Sequence, residues 1–254
     1  MLLVCTIVAL FILVHLFKMI RLYLVLMEHK LPFGRFVLLY LRTTFINLII
    51  PYKIGELVRM EEIARETKVW QVGLLSVLVD RFFDTLALLA FLGIIEISYL
   101  HHLSLLTLIF LGVIIICLLI YLSIPGTYRY LNRYMIVKKA TSRSMALLKG
   151  LDIMKNWYDF TAQLIRGRAL LIFIASLFGL GFEILTLKSL AYRQALPFGV
   201  VDFSKYIQSV FLGGGNQLER TYVCCGAYAM LMLTVVGYII YAITSYRKLK
   251  ERVK

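Results

Sequence analysis

The amino-acid sequence predicts an all-α polytopic membrane protein, with about five spanning helices and two re-entrant or broken half-helices. The first observation behind this prediction is composition, since 61% of the 254 residues are hydrophobic, more than soluble domains usually carry. The second is that several apolar runs are long enough to cross a bilayer. The third is that the net charge of +14 crowds between and after these runs. Such a balance favours contact with anionic lipid headgroups over nucleic acid.

Five apolar runs of roughly 20 residues predict the spanning helices. They are Met1–Ile20, Val72–Ser98, Leu103–Ile124, Ala169–Leu190 and Tyr222–Ser245. The first run lacks the basic start and the small-residue cleavage site of a signal peptide, so we expect it to be retained. Residues 1–254 are therefore expected to form a single transmembrane domain.

Two further apolar runs are too short to span the membrane. Phe36–Ile50 contains Arg42 and ends at Pro51, and Phe203–Leu212 runs into a triple glycine. At about 1.5 Å per residue they reach about 15–22 Å, against a hydrocarbon core of about 30 Å. We expect re-entrant segments at 36–50, from the cytoplasmic side, and at 203–215, from the outer side.

Lysine and arginine crowd residues 125–168 and the tail after Ser245. The positive-inside rule places both in the cytoplasm, which predicts a multi-pass protein of the cell membrane with a cytoplasmic C-terminus. Apolar residues recur at helical spacing within 125–168, so we expect an amphipathic connector on the inner leaflet, with a solvated loop as the alternative. The loop Pro51–Gln71 and the basic turn Arg21–Arg35 are then cytoplasmic as well.

The two halves of the chain, residues 1–98 and 169–254, have similar hydropathy patterns. Each half contains a span, a short segment, a motif that breaks the helix, and a second span. Because the short segments enter from opposite sides, the pattern matches the inverted repeats of many transporters. No residue-level repeat accompanies it.

Three charged residues, Asp80, Arg81 and Asp84, lie inside the second predicted span. A charge at the centre of a spanning helix costs about 2.5–3.5 kcal/mol, so we expect these side chains to face protein or water and to be paired. Asp80 and Asp84 are i, i+4 neighbours, and Arg81 is i, i+3 to Asp84. Since two carboxylates outnumber one guanidinium, a further cation is expected from Arg42, Lys53 or Arg59.

The stretch just before that span combines helix breakers with charge. Gly55 permits close backbone approach, and the N–H groups at the start of the following half-helix suit a phosphate. Glu56 and Arg59 are i, i+3 partners. A network that only fixes helix packing is the alternative to a binding site. The predicted headgroup- or phosphate-binding residues are Arg42, Lys53, Gly55, Glu56, Arg59, Asp80, Arg81 and Asp84.

A second group of candidates lies in the second half of the chain. Glu183 is deep in the fourth predicted span, where it is expected to carry a proton or cation, or to pair with Lys188 or Arg220. Glu219 opens the last span, and helix capping explains it as well as function does. The predicted outer-side cavity or coupling residues are Glu183, Gly213, Gly214, Gly215, Asn216 and Glu219.

Two motifs carry a family resemblance. They are Asn47-x-x-x-Pro51-x-Lys53-x-Gly55-Glu56-x-x-Arg59 and Ser76-Val77-x-x-Asp80-Arg81-x-x-Asp84. Together they resemble the flippase-like integral membrane family typified by the transmembrane region of lysylphosphatidylglycerol synthase, also labelled dolichol-phosphate-glucose synthetase-like. Family motifs usually read Pro-x-Arg-x-Gly-Glu and Glu-Arg-x-x-Asp, so Lys53 and Asp80 are substitutions that keep the charge. The stretch Gly213–Glu219 is similar to a C-terminal glycine-rich element, without its usual preceding proline.

The resemblance implies a lipid translocase that moves a phospholipid or polyprenyl-linked headgroup between leaflets through a polar intramembrane cavity. Its expected partners are membrane lipids and a lipid-modifying enzyme or glycosyltransferase. The alternatives are an Mg²⁺-dependent intramembrane enzyme that uses Asp80 and Asp84, and a non-transporting subunit of a glycosyltransferase or aminoacyl-lipid synthase. We predict no catalytic residue, metal site or cofactor. The four cysteines are expected to be small buried hydrophobes.

Overall fold

The computed structural model is helical throughout the part of the chain that it describes. The described backbone comprises residues 2–29, 31–50, 54–138, 142–212 and 216–252, with side chains except at 2, 136–138, 142–146, 212 and 245–252. Over these residues the chain forms nine α-helices. They are α1 (Leu2–Leu26), α2 (Phe33–Ile49), α3 (Ile54–Thr67), α4 (Trp70–Ile95), α5 (Leu105–Lys138), α6 (Ser142–Ile165), α7 (Ala169–Arg193), α8 (Val200–Leu212) and α9 (Gln217–Arg252).

Four of these helices are long and apolar enough to cross a membrane. They are α1 with the 3₁₀ turn that follows it, most of α5, all of α7, and α9 as far as Thr244. Helix α4 has 26 residues, enough for about 39 Å, but carries three charged side chains within five residues, Asp80, Arg81 and Asp84. The predicted all-α polytopic membrane architecture is confirmed, and the crossing that the sequence predicts for α4 stays a prediction.

The first predicted re-entrant segment is one arm of a helical hairpin. Helix α2 has 17 residues and α3 has 14, which correspond to about 25 and 21 Å, so neither crosses a bilayer. The expectation of a loop over 51–71 is wrong, because α3 occupies most of it and packs against both α2 and α4.

Close packing holds this hairpin together. A Cβ at Gly55 would lie 2.5 Å from the Cα of Asn47, so only glycine lets α3 approach α2 at that point. At the other end of α3, Lys68 adopts a left-handed conformation with φ of 57°. The chain then enters α4 directly, and α3 runs back along α4. This short connection packs the middle of α3 against Gly73 in the first turn of α4 and brings Glu56, near the start of α3, beside Arg81.

The two halves of the chain share only part of their architecture. Each begins with a long helix and a short one, α1 and α2 in the first half, α7 and α8 in the second. The first half then has a return helix and a separate long helix, whereas α9 continues unbroken for 36 residues. The long helices α1 and α7 pack along each other.

Apolar clusters lie above and below a charged layer. One cluster joins the first half of α1 to the second halves of α4 and α7 and to α8 and α9, with Phe11, Ala87 and Leu187 among its members. Two others join the end of α1 to α2, α3, α6 and the first half of α4. Along α1 the buried side chains therefore change from apolar to charged and back, with Arg21 between the clusters.

The basic connector is built from the end of α5 and from α6. The rings of Tyr121 and Tyr158 lie 4.8 Å apart, and the Tyr128 hydroxyl donates a hydrogen bond of 2.8 Å to Asp152. The prediction for the cysteines is wrong, since all four are exposed on the helices. Exposed helix faces meet lipid tails in a membrane, and these accommodate a thiol as a protein core does.

Candidate functional site

Arg21 on α1 is the centre of the charged layer. Its Nε donates to Asp80 over 2.6 Å, and its Nη1 donates to Asp84 over 2.7 Å and to the Ser176 hydroxyl over 3.2 Å. Only 1% of the side chain is exposed. One guanidinium therefore joins α1, α4 and α7. The predicted cytoplasmic turn at Arg21 is wrong, because α1 continues to Leu26 and buries this residue.

Arg59 on α3 approaches Asp80 from another direction. Its Nη1 lies 3.8 Å from Oδ2 of Asp80, and its Nε and Nη2 donate to the hydroxyls of Thr43 and Thr44 over 3.2 and 3.0 Å. The guanidinium carbon also lies 5.5 Å from the centre of the Tyr40 ring, within range of a cation–π interaction. Together, Arg21 and Arg59 supply the further cations that the acidic pair requires.

Arg81 and Asp84 form the open side of the layer. Arg81 donates to Asp80 over 3.1 Å and to Asp84 over 3.0 Å. The side chains of Arg81 and Asp84 are 33% and 28% exposed, whereas those of Arg59 and Asp80 are 5% and 2% exposed. Nε of Arg81 lies 3.2 Å from Oε1 of Glu56, but the two atoms are not aligned for a hydrogen bond. The hydrogen bonds of Arg81 on the accessible side are thus longer than those of Arg21 to the same two carboxylates.

A further ion pair lies beside the layer. Lys18, one turn before Arg21 on α1, contacts Glu183 of α7, with Nζ and Oε2 2.5 Å apart. Both side chains are half-buried. The expected partners of Glu183, Lys188 and Arg220, are therefore wrong. Glu183 lies next to the first predicted group of residues rather than in a separate outer-side group.

Within the described residues, the charges of this layer balance. Each guanidinium contacts at least one carboxylate, so removal of any member leaves an uncompensated charge in a low dielectric. The side chains contact each other directly, where the sequence predicted an open polar cavity. The members are Arg21, Arg59 and Arg81 as cations, Glu56, Asp80 and Asp84 as anions, and the adjacent pair Lys18 and Glu183.

Arg42 and Gly55, also predicted to bind the headgroup, are not part of the charged layer. Arg42 lies apart from the layer and contacts Glu62 of α3 over 3.1 Å. Burial raises the pKa of the Glu62 carboxyl above its usual value, and the facing Arg42 opposes this rise. Gly55 serves the packing of α2 against α3. Lys53 lies outside the described residues.

The second predicted group is only partly described. Oδ1 of Asn216 accepts a hydrogen bond of 3.2 Å from the backbone N–H of Leu218, which caps the start of α9. Glu219 lies in the first turn of the same helix, where a carboxylate suits the helix dipole. Both positions therefore fit helix capping. Gly213, Gly214 and Gly215 lie outside the described residues.

Several members of the layer were missed by sequence reasoning. In the sequence, Lys18 falls within the first apolar run and Arg21 opens the basic turn that follows it. Opposite charges in distant spans nevertheless indicate that the spans pair with each other. Their partners Glu183 and Asp80 were both recognised as intramembrane charges that must be paired. Hydroxyl donors and acceptors such as Ser176 carry no comparable signal in an apolar sequence.

The acidic pair is not arranged as a metal site. Both carboxylates of Asp80 and Asp84 accept hydrogen bonds from Arg21 and Arg81. Among the residues that the structure describes, no group of three or more His, Cys, Asp or Glu side chains is placed to hold a metal ion. The geometry therefore does not favour the Mg²⁺-dependent alternative.

Comparison with known families agrees with this geometry. A family model described as the lysylphosphatidylglycerol synthase TM region matches residues 1–199. The chain belongs to this family. The match includes every member of the charged layer and ends before α8, so the similarity of Gly213–Glu219 to a family element stays a prediction. No curated protein and no solved structure gives a significant match.

Proposed function

We propose that this member of the lysylphosphatidylglycerol synthase TM family is a lipid translocase that moves the headgroup of a phospholipid or polyprenyl-linked lipid between leaflets. The observation that supports the proposal is the uneven exposure of the charged layer. Arg21 and Asp80 are buried, whereas Arg81 and Asp84 are half-exposed in the middle of a membrane bundle. Intramembrane charges are rare and tend to mark substrate pathways.

The exposed ion pair offers a way to accept a charged headgroup. A guanidinium binds phosphate oxygens in the same forked geometry that it uses for a carboxylate. Phosphate can therefore replace Asp84 and Glu56 at Arg81, while Asp84 keeps its hydrogen bond to Arg21. Because the layer is already balanced, the phosphate brings a negative charge that an amine of the same headgroup or a proton on Glu56 must compensate.

The buried contacts supply the fixed frame for this exchange. Arg21 holds α1, α4 and α7 through Asp80, Asp84 and Ser176, and Arg59 ties the hairpin to the same aspartate. The proposal also includes anionic lipids at the basic connector, a cytoplasmic C-terminus in the cell membrane, and a lipid-modifying enzyme or glycosyltransferase as a partner.

Reconstitution tests the proposal. Liposomes that contain the purified protein and a headgroup-labelled fluorescent phospholipid should lose more than the outer-leaflet half of their signal to an impermeant quencher. Arg81→Gln should slow this loss by about tenfold or more, since a charge-assisted contact is removed. Glu61→Gln is the matched control, because Glu61 lies on an exposed face of α3 and pairs with Arg65.

Two results would contradict the proposal. The first is a wild-type rate equal to that of protein-free liposomes. The second is product formation from a polyprenyl phosphate when Mg²⁺ is added, which would favour the enzyme alternative.

A further inference from the structure

A second polar site lies between α2, α3 and α9, apart from the charged layer. It is a cavity of about 330 Å³, at the lower end of the size range of small-molecule sites. Both signs of charge line it, together with two tyrosines of α9. The charged and aromatic residues that line it are Arg35, Arg42, Glu62, Arg65, Glu66, Tyr238 and Tyr241, and Glu61 compensates Arg65.

The charges form two cross-helix pairs. Arg35 and Arg42 are seven positions apart on α2, which places them on one face, about 10 Å from each other along the axis. Helix α3 runs in the opposite direction, so Glu66 faces Arg35 at 3.6 Å and Glu62 faces Arg42 at 3.1 Å. The arginine side chains are 57% and 54% exposed. A guanidinium has five N–H donors, so a single glutamate does not saturate it.

Helix α9 closes the cavity with aromatic rings. Tyr238 and Tyr241 are i, i+3 neighbours and therefore share a face of α9. Helix α9 packs against the start of α2, where Gly34 faces the Tyr241 ring. Tyrosine rings attract cations, so the wall adds to the attraction of the glutamates for an amine.

We propose that this cavity binds a zwitterionic phospholipid headgroup, with its phosphate against Arg35 and Arg42 and its amine between the glutamates and the tyrosines. A purely anionic headgroup would meet Glu62 and Glu66 unfavourably, and a purely cationic one would meet the arginines. A headgroup with a phosphate and an amine offers a new partner to both members of each arginine–glutamate pair.

Helix α3 connects the cavity to the charged layer. Arg59, Glu62 and Glu66 lie at i, i+3 and i+7 on α3 and share one stripe of that helix. A headgroup held by Glu62 is therefore about one turn from the guanidinium that contacts Asp80. Transfer of the headgroup from the cavity to the charged layer rests on the proposed function, whereas binding in the cavity does not.

A binding experiment without transport tests the site. Isothermal titration of the detergent-solubilised protein with dihexanoyl phosphatidylethanolamine and dihexanoyl phosphatidylglycerol should show about tenfold tighter binding of the ethanolamine lipid. Glu62→Gln should abolish or reverse this preference, because it removes a partner of the amine and unmasks the arginines. Arg42→Gln should weaken both lipids. Asp159→Asn, at an exposed position of α6 that does not line the cavity, should match the wild type.

The outcomes separate the alternatives. Equal affinity of the wild type for the two lipids, or a Glu62→Gln variant that behaves as Asp159→Asn does, overturns the inference. Free phosphoethanolamine that binds as tightly as the lipid would show a soluble ligand and overturn the lipid assignment. If Glu62→Gln does not fold, Glu66→Gln gives the same test at a more exposed position. An intact lipid preference without transport would contradict only the proposed function.

Discussion

The buried and open halves of the charged layer differ in their surroundings rather than in their chemistry. Arg21 and Asp80 form a short, sealed contact that joins three helices. Arg81 and Asp84 form a similar contact at an accessible position, with a misaligned neighbour in Glu56. A charge inside a membrane helix therefore does not by itself indicate function. Exposure separates the contacts that hold the bundle together from those that a ligand can exchange.

Loss of a buried carboxylate should have the largest effect. Asp80→Asn leaves Arg21 and Arg59 facing a neutral amide in a low dielectric, and breaking a buried pair in this way costs about 3–5 kcal/mol. Thermal unfolding in detergent, followed by circular dichroism, should show a large drop in melting temperature. A drop no greater than that of Arg81→Gln would remove the distinction between the two halves.

A methyl group at the hairpin contact should come next. Gly55→Ala places a Cβ against the Asn47 backbone, and such overpacking costs about 1–3 kcal/mol because α2 and α3 must separate. The free energy of unfolding in a denaturant series measures this loss. Gly150→Ala is the matched control, since a Cβ there meets nothing within 4 Å and should not destabilise α6. Equal behaviour of the two variants would contradict the close packing.

The half-buried pair of Lys18 and Glu183 should give an intermediate effect. A double-mutant cycle with Lys18→Gln and Glu183→Gln should yield a coupling energy of about 1 kcal/mol, since contacting residues couple by 0.5–3 kcal/mol. Unfolding of the two single variants and the double variant provides the measurement. A coupling energy near zero would mean that the contact adds nothing to the link between α1 and α7.

The exposed pair on α3 should give the smallest effect. Arg65→Gln removes an i, i+4 contact to Glu61 in which both partners are largely exposed, so the stability should change by no more than about 0.5 kcal/mol. A loss comparable to that of the Lys18 variant would show that exposure does not rank these contacts.

Much of the fold and part of the site followed from the sequence. Length and apolarity predict the long helices, and the expense of intramembrane charge predicts that Asp80, Arg81 and Asp84 are paired. Hydropathy did not place the end of α1, because a cation after an apolar run looks the same whether it is buried or lies at the membrane surface. The sequence predicts only a half-helix after Gly55 within a longer loop, because the acidic stripe of α3, which includes Glu62 and Glu66, is typical of a solvated loop.

The placement of Arg42 needed the structure. Its neighbours Thr43 and Thr44 face Arg59, and consecutive helical positions point about 100° apart, so Arg42 faces a different neighbour. Sequence spacing assigns a residue to a helix face, but it does not tell which helix covers that face. The structure supplies that information, since Arg42 contacts Glu62 of α3.

Chemical access to position 84 tests the central claim most directly. In a background without the four exposed cysteines, Asp84→Cys and Ser76→Cys place one thiol on the open side and one at a fully buried position of α4. We predict that a membrane-impermeant thiol reagent modifies Cys at 84 in reconstituted protein and leaves Cys at 76 unmodified. If both thiols are equally protected, the charged layer is sealed, and the account of an exchangeable half is wrong.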